Sequence, residues 1–373
     1  MKIIQAETRR DLRRFIRLPR EVYRKDHLWV PPLWGEEYGE YARGRNAVLA
    51  HSDFRLFLAV EGEQVLGRIV AYVDRNFIRF TREKIGFFGS FEVLDHPGAA
   101  AGLLREAEIW LKKQGMEAVR GPINPVAESW GFLLEGFDTP PIFMSPYNPP
   151  RYLAHMAAAG YGKAKDLLVY EADLRREQPL PDRFDRFEKT LLNRRPGLSI
   201  RMVDPRRLDE EAESIRRILN LGVAGNWGFV PVEEAEMRDV LKKLKPILEP
   251  RAVWFVENEG QPVACCLGFP DINGLIKKIR GRMFPLGFVT FLLGLKKIRD
   301  YRLWGLAVLP EYQGMGLDVL LYTRIYRFIR EKRIRLEANY VLEDNLRIRN
   351  ALEKLGMVRT KTYRVFEKSL QHP

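Results

Sequence analysis

The sequence predicts an α/β protein of two tandem units, each a mixed central sheet flanked by helices. Three observations predict it. At 373 residues the chain can bury two cores without help from disulfides or metal. Short β-type runs alternate with stretches of helical period, and the same order occurs twice. Between the two series, residues 175–187 (RREQPLPDRFDRF) combine charge with two prolines and no apolar period, the composition of a boundary. The expected division is therefore 1–174, a linker at 175–187, and 188–373.

In the first unit KIIQAE reads as a short strand and 8–25 as an amphipathic helix, while RLFLAV (55–60) and QVLGRIVAYV (64–73) pair across EGEQ. FFGSFEVL (87–94) is a strand and 98–114 a helix with Leu103, Leu104, Ala107 and Leu111 on its apolar side; MEAVRGP starts another strand. Residues 121–150, rich in Pro, Gly and aromatics, read as a packed loop lining a cleft. A helix at 151–160 and the strand DLLVYEADL (166–174) close the unit. The second unit runs through LSIRMV (198–203), helices at 208–222 and 233–245, and strands AVWFVEN (252–258), QPVACCLGF (261–269) and RLWGLAVL (302–309). A helix at 315–332, the strand RLEANYV (335–341), a helix at 345–355 and the strand YRVFEK (363–368) complete it.

Composition narrows the functions. With 46% hydrophobic and 30% charged residues the chain is neither disordered nor fibrous. Lys plus Arg number 62 against 49 acids, a formal charge of +13 that favours anionic partners. The only cysteines, Cys265 and Cys266, are adjacent and poorly placed for an ordinary disulfide, which suits a reducing compartment. Five scattered histidines with no Cys/His cluster argue against a zinc site. The N-terminus lacks the apolar core of a signal peptide, and no run reaches the roughly 20 apolar residues of a membrane span, so a cytoplasmic protein is expected.

The most chemically specific stretch is LAVLPEYQGMGLDVLLY (306–322), a strand, a turn with Pro310, and then Gln313, Gly314, Met315, Gly316, Leu317 and Asp318 opening a helix. Backbone N–H groups at such a turn point at an anion, glycine lets it approach closely, and the helix dipole adds about half a positive charge. The plainer alternative is a tight strand-to-helix turn that binds nothing.

These residues resemble motif A of the GNAT superfamily of acyl-CoA N-acyltransferases, which runs Gln or Arg, two residues, Gly, one residue, then Gly or Ala. Downstream, Asn345 and then Ala351, Leu352 and Gly356 keep the spacing of that family's next helix. The resemblance implies a tandem GNAT fold with acetyl-CoA or a longer acyl-CoA as co-substrate, its pyrophosphate on the 313–318 turn and its pantetheine arm along Leu306, Ala307 and Val308. Two departures stand out. Asp318 replaces the small third residue of the motif, placing a carboxylate near a pyrophosphate. Leu352 replaces the Tyr that often serves as general acid, leaving Tyr322, Tyr340 and Tyr363 as substitutes. A thiol pKa near about 8.5 also permits departure without an acid.

The equivalent loop of the first half, 95–102, carries Pro and Ala where the Gln and Gly would be, so this half is expected to bind CoA poorly and to form a wall of the acceptor site. Asn124, Glu128, Tyr147 and Asn148 are the candidate wall residues, unless they merely satisfy loop backbone. An ammonium has no lone pair, so its attack on a thioester needs a base. The family often uses a strand Glu, which here points to Glu337 or Glu343; Asn345 is either part of the site or a helix cap.

Residues 274–300 enclose an apolar run, 283–295, between Lys277, Lys278, Arg280 and Arg282 on one side and Lys296, Lys297 and Arg299 on the other. The segment is too short to span a membrane. It reads either as an interfacial segment on an anionic membrane or as a lid over the acyl site. With NWGFVP (226–231), the whole-chain pattern is similar to a bacterial group of GNAT-like proteins, part of which is linked to N-acylation of sphingoid bases. The expectation is an acyl-CoA-dependent transferase acting on a primary amine, peripheral at the inner membrane face. The alternatives are a non-catalytic CoA- or membrane-binding module and, with no nucleic-acid motif to support it, a nucleic-acid binder.

Overall fold

The strand order joins both halves into one sheet. A computed structural model describes residues 1–41, 45–125, 129–175 and 182–371. The strands are β1 (Lys2–Gln5), β2 (Ser52–Glu61), β3 (Gln64–Asp74), β4 (Ile85–Val93), β5 (Ala118–Gly121), β6 (Phe132–Glu135) and β7 (Gly162–Asp173) in the first half. The second half contributes β8 (Leu198–Met202), β9 (Val253–Asn258), β10 (Gln261–Pro270), β11 (Asp300–Val308), β12 (Arg335–Leu342) and β13 (Val358–Ser369). Their spatial order is β1-β2-β3-β4-β5-β13-β7-β12-β11-β10-β9-β8, with β6 on β13.

The middle of that order crosses the halves. The final strand β13 pairs antiparallel with β5, and β7 lies between β13 and β12. Among the described residues only two pairs are parallel, β4 with β5 and β11 with β12, and they occupy matching places in the two series. Each starts in register and then parts: Ile85 to Phe87 face Ala118 to Arg120, and Asp300 to Leu303 face Arg335 to Ala338.

Helices cover the sheet. They are α1 (Arg9–Arg17), α2 (Pro19–Val22), α3 (Trp34–Glu40), α4 (Ala47–Ala50), α5 (Arg75–Thr81), α6 (Pro97–Lys113) and α7 (Arg151–Ala158). The second half adds α8 (Asp182–Arg194), α9 (Leu208–Gly222), α10 (Glu234–Leu244), α11 (Asn273–Lys278), α12 (Gly287–Leu295), α13 (Leu317–Lys332) and α14 (Leu346–Lys354). The helix expected over 8–25 is divided into α1 and α2 because Pro19 has no N–H for the helical ladder and its ring crowds the preceding turn. Residues 176–181 of the expected linker lie outside the described residues, and α8 follows them.

Each half has its own apolar core. In the second, α13 buries Leu317, Leu320, Leu321, Ile325, Phe328 and Ile329 against the sheet, the three-and-four spacing of one helix face. In the first, α6 does the same with Leu103, Leu104, Ala107 and Leu111. No helix among the described residues is long and apolar enough to cross a membrane.

Candidate active site

The two matched strand partings differ in what fills them. In the first half the chain itself enters: Ile123 N donates to Phe88 O at 2.8 Å, and Asn124 Oδ1 accepts from Ser90 N at 2.5 Å. A Cβ on Gly89 would meet Ile123 O at 2.5 Å, so the backbones are as close as glycine allows. In the second half, among the described residues, no strand pairs with the β12-facing edge of β11 beyond Leu303. That edge leads through Leu306, Ala307 and Val308 to the Gly-rich turn.

The helices that follow the partings differ in the same sense. The N-terminus of α6 is closed, because Pro97 has no N–H and His96 Nδ1 accepts from Ala99 N at 3.0 Å. The N-terminus of α13 has no side-chain cap, which leaves donors of its first turn for another acceptor. Gly314 (φ +79°) and Gly316 (φ +82°) adopt the left-handed conformation that glycine tolerates. A Cβ on Gly316 would sit 2.4 Å from the Phe187 ring, whereas Gly314 faces open space. Gln313 Nε2 donates to Val308 O at 3.1 Å and Gly222 O at 3.3 Å, tying the turn to strand and neighbouring helix. Asp318 does not cap the helix; its carboxylate meets Arg347 Nη2 at 3.4 Å, which offsets the charge expected to repel a pyrophosphate. Met315 and Leu317 pack against the second-half core.

At the vertex of the open parting lies a buried polar cluster. Glu337 is one residue ahead of the last β11–β12 pair, opposite Arg302. Its Oε1 accepts from Asn339 Nδ2 at 2.8 Å, and its Oε2 has no hydrogen bond and lies 3.7 Å from Lys361 Nζ. Burial raises the Glu337 pKa, opposed by the cations Lys361, Arg335 and Arg302. Asp271, whose backbone hydrogen bonds from Asn273 and Phe143 only partly offset burial, is pushed up to about 6.

The first half lays a loop over this cluster. Lys361 Nζ donates to Pro140 O at 3.1 Å, Arg302 Nη1 to Phe143 O at 2.8 Å, and Asn339 Nδ2 to Ser145 Oγ at 3.0 Å. Tyr340 and Tyr363 pack edge to face beside it, 5.6 Å between centroids, and burial raises both phenols, Tyr340 to about 12. Trp130, Phe137 and Trp227 line the same junction. A buried, proton-attracting carboxylate at the end of an open strand edge is equipped to accept a proton from an amine.

The other expected residues are distributed differently. Glu343 is half-exposed, 2.5 Å from Lys163 Nζ, and accepts from Asp166 N at 3.1 Å. Asn345 caps α14 by accepting from Ile348 N at 3.2 Å. Tyr322 is buried in α13, with its phenol pKa raised by burial and then by Asp318 and Cys266. Asn148 holds Leu133 N at 2.6 Å, and Tyr147 donates to Asp26 Oδ2 at 2.9 Å, so both brace the covering loop. Glu128 lies outside the described residues. Sequence reasoning missed Arg302, Asn339, Lys361, Ser145 and Asp271. The available signal was cations at inward positions of the apolar strands β11 and β13.

The profile of the acetyltransferase (GNAT) family matches residues 224–357. Over nearly its whole length the chain is similar to a Caulobacter vibrioides protein named bacterial ceramide synthase, 32% identical over 379 residues, covering 99% of this chain and 98% of that one. It is similar to Protein YghO of Escherichia coli, 33% identical over 371 residues, covering 96% and 93% respectively. A solved tandem GNAT protein from the clavulanic acid biosynthesis pathway superposes with a TM-score of 0.58, covering 100% of this chain and 99% of that one at 11% identity, a likeness of fold alone. With its paired strand partings, Gly-rich turn and full-length relatives, the chain belongs to the GNAT acetyltransferase family.

Proposed function

We propose that the protein is an acyl-CoA-dependent N-acyltransferase whose second unit, 188–373, binds the donor, while the first, 1–174, supplies a wall of the acceptor site. The observation that carries this reading is the contrast between the two partings: one is filled and capped by its own chain, the other runs openly from Glu337 along β11 to an uncapped helix N-terminus. The donor's pyrophosphate lies on the 313–318 turn and its pantetheine arm along Leu306, Ala307 and Val308. Glu337 Oε2 takes one proton of the acceptor ammonium, the freed amine forms its bond to the thioester carbon, and the C–S bond breaks to release CoA thiolate, which takes up the second proton that the nitrogen sheds as the amide forms. Tyr322 serves at most through packing, and Glu343 and Asn345 shape the far end of the parting.

The acceptor in this reading is a primary amine on a long apolar chain, of the sphingoid kind, and the acyl group is correspondingly long. Two features favour it: the similarity to a protein named ceramide synthase, and the exposed apolar segment within 274–300, which meets an anionic membrane surface. The test combines thermal stability with free CoA, acetyl-CoA and palmitoyl-CoA with mass-spectrometric detection of amide from palmitoyl-CoA and a sphingoid base. Stabilisation together with an amide product supports the reading. Stabilisation without an amide from long- or short-chain amines would favour the non-catalytic binding module.

A further inference from the structure

We propose that the N-terminal arginine face and the apolar hairpin of α11–α12 form one docking surface for an anionic lipid bilayer. The proposal extends the membrane contact suggested above for 274–300 by adding a second, sequence-distant half. The hairpin exposes apolar side chains to an unusual degree: Phe284 is 82%, Leu286 75% and Leu293 70% exposed. All three belong to one apolar run, 283–295, flanked by Lys277, Lys278, Arg280 and Arg282 before it and Lys296 and Lys297 after it, the composition that inserts among acyl chains while meeting headgroup phosphates.

The second half is an open groove of about 850 Å³ along α1 and α2, lined by six arginines and a lysine against two acids. Arg10 is taken up by Glu63, but Arg13, Arg17 and Arg24 are exposed and have no ion pair among the described residues. Cations left unneutralised side by side are held there at an electrostatic cost that an anionic partner relieves.

Trp34 joins the two halves. Arg20 stacks on its ring at 4.0 Å, its Nε1 donates to Arg280 O at 3.2 Å, and its backbone N donates to Gly281 O at 3.1 Å. Arg282 beside Arg20 depresses the latter's pKa, after burial, so the positive charge continues from the groove to the hairpin. A nucleic acid would be served by the arginines alone; the apolar side chains adjoining them fit a lipid leaflet and not a polynucleotide. The hairpin also packs on Phe143, whose carbonyl holds Arg302, so a docked protein presents the loop over Glu337 to the bilayer.

The test is co-sedimentation of the full chain with vesicles of phosphatidylcholine alone or with phosphatidylglycerol, in 150 mM salt, for wild type, Arg13→Glu/Arg17→Glu/Arg24→Glu and Phe284→Asp/Leu293→Asp. Wild type is expected on the anionic vesicles only. Each basic residue near an anionic surface is worth about fivefold, so the triple variant should bind at least about 100-fold more weakly. The apolar pair should lose binding as well. Wild-type binding by either variant, absence of wild-type binding, or tighter wild-type binding to RNA than to the vesicles overturns the proposal. Turnover on detergent-dispersed amine, measured on the same preparations, is expected to be unchanged, which separates failure of this surface from failure of the acyltransferase reading.

Discussion

Lys361 Nζ lies 3.7 Å from Glu337 Oε2, and each side chain is only 1% exposed. A buried ion pair gains little over apolar packing, but removing one partner leaves an uncompensated charge and costs about 3–5 kcal/mol. Lys361→Met should therefore destabilise the protein on that scale in urea unfolding, and Glu337→Gln/Lys361→Met should recover much of the loss. Lys361 also holds down the pKa of a carboxylate raised by burial. Its removal should shift the acidic limb of the kcat–pH profile to higher pH, whereas Glu337→Gln alone should lower kcat by about 100-fold or more.

Arg347 lies 3.4 Å from Asp318 and so offsets its charge at the turn proposed to hold the donor. Arg347→Ala should weaken CoA binding severalfold by exposing the pyrophosphate to an uncompensated carboxylate, and Asp318→Asn should bind at least as tightly as wild type. In Asp318→Asn/Arg347→Ala the loss should largely vanish, a non-additivity that a calorimetric double-mutant cycle reads directly.

Glu92 is buried in the first half and accepts from Tyr23 and Tyr152 at 2.9 Å, and burial raises its pKa to about 7. The folded protein holds this proton more tightly than the unfolded chain. The stabilisation is complete below the ordinary carboxylate range and is lost as pH rises through about 7. Between pH 5 and 8 wild-type unfolding free energy should fall by up to about 3 kcal/mol relative to Glu92→Gln, which retains the acceptor oxygen.

Tyr322 is enclosed by the α13 core, beside Cys266 and Asp318. Tyr322→Phe should leave kcat within about twofold; a loss beyond about 100-fold with CoA stabilisation intact would place the phenol on the proton path.

The Gly-rich turn at 313–318 was legible as a turn in the sequence because its determinants are local. Positive φ at Gly314 and Gly316, and a helix starting at Leu317, follow from neighbouring residues alone. The buried polar cluster around Glu337 was only half legible. Glu337 stood out as a strand carboxylate, but Lys361 lies in β13, across β7 from it, and a lysine in an alternating strand reads as solvent-facing until the register is known. Asn148 was ambiguous for the converse reason: its partner is backbone at Leu133, and no side-chain pattern announces a backbone partner. Pro19 was visible, yet the helical period on either side of it masked the break.

The insertion of β13 between β5 and β7 has a consequence for synthesis on the ribosome. Strands β5 and β7 are made early, but the strand that bridges them emerges nearly two hundred residues after β7 begins. A nascent or clipped chain ending before Val358 therefore carries two bare inner edges, the form of strand most prone to pair with a neighbouring molecule. Only the arrival of β13 closes them, so the first-half edge at β5 and the edge at β7 are completed together by a strand made long after both.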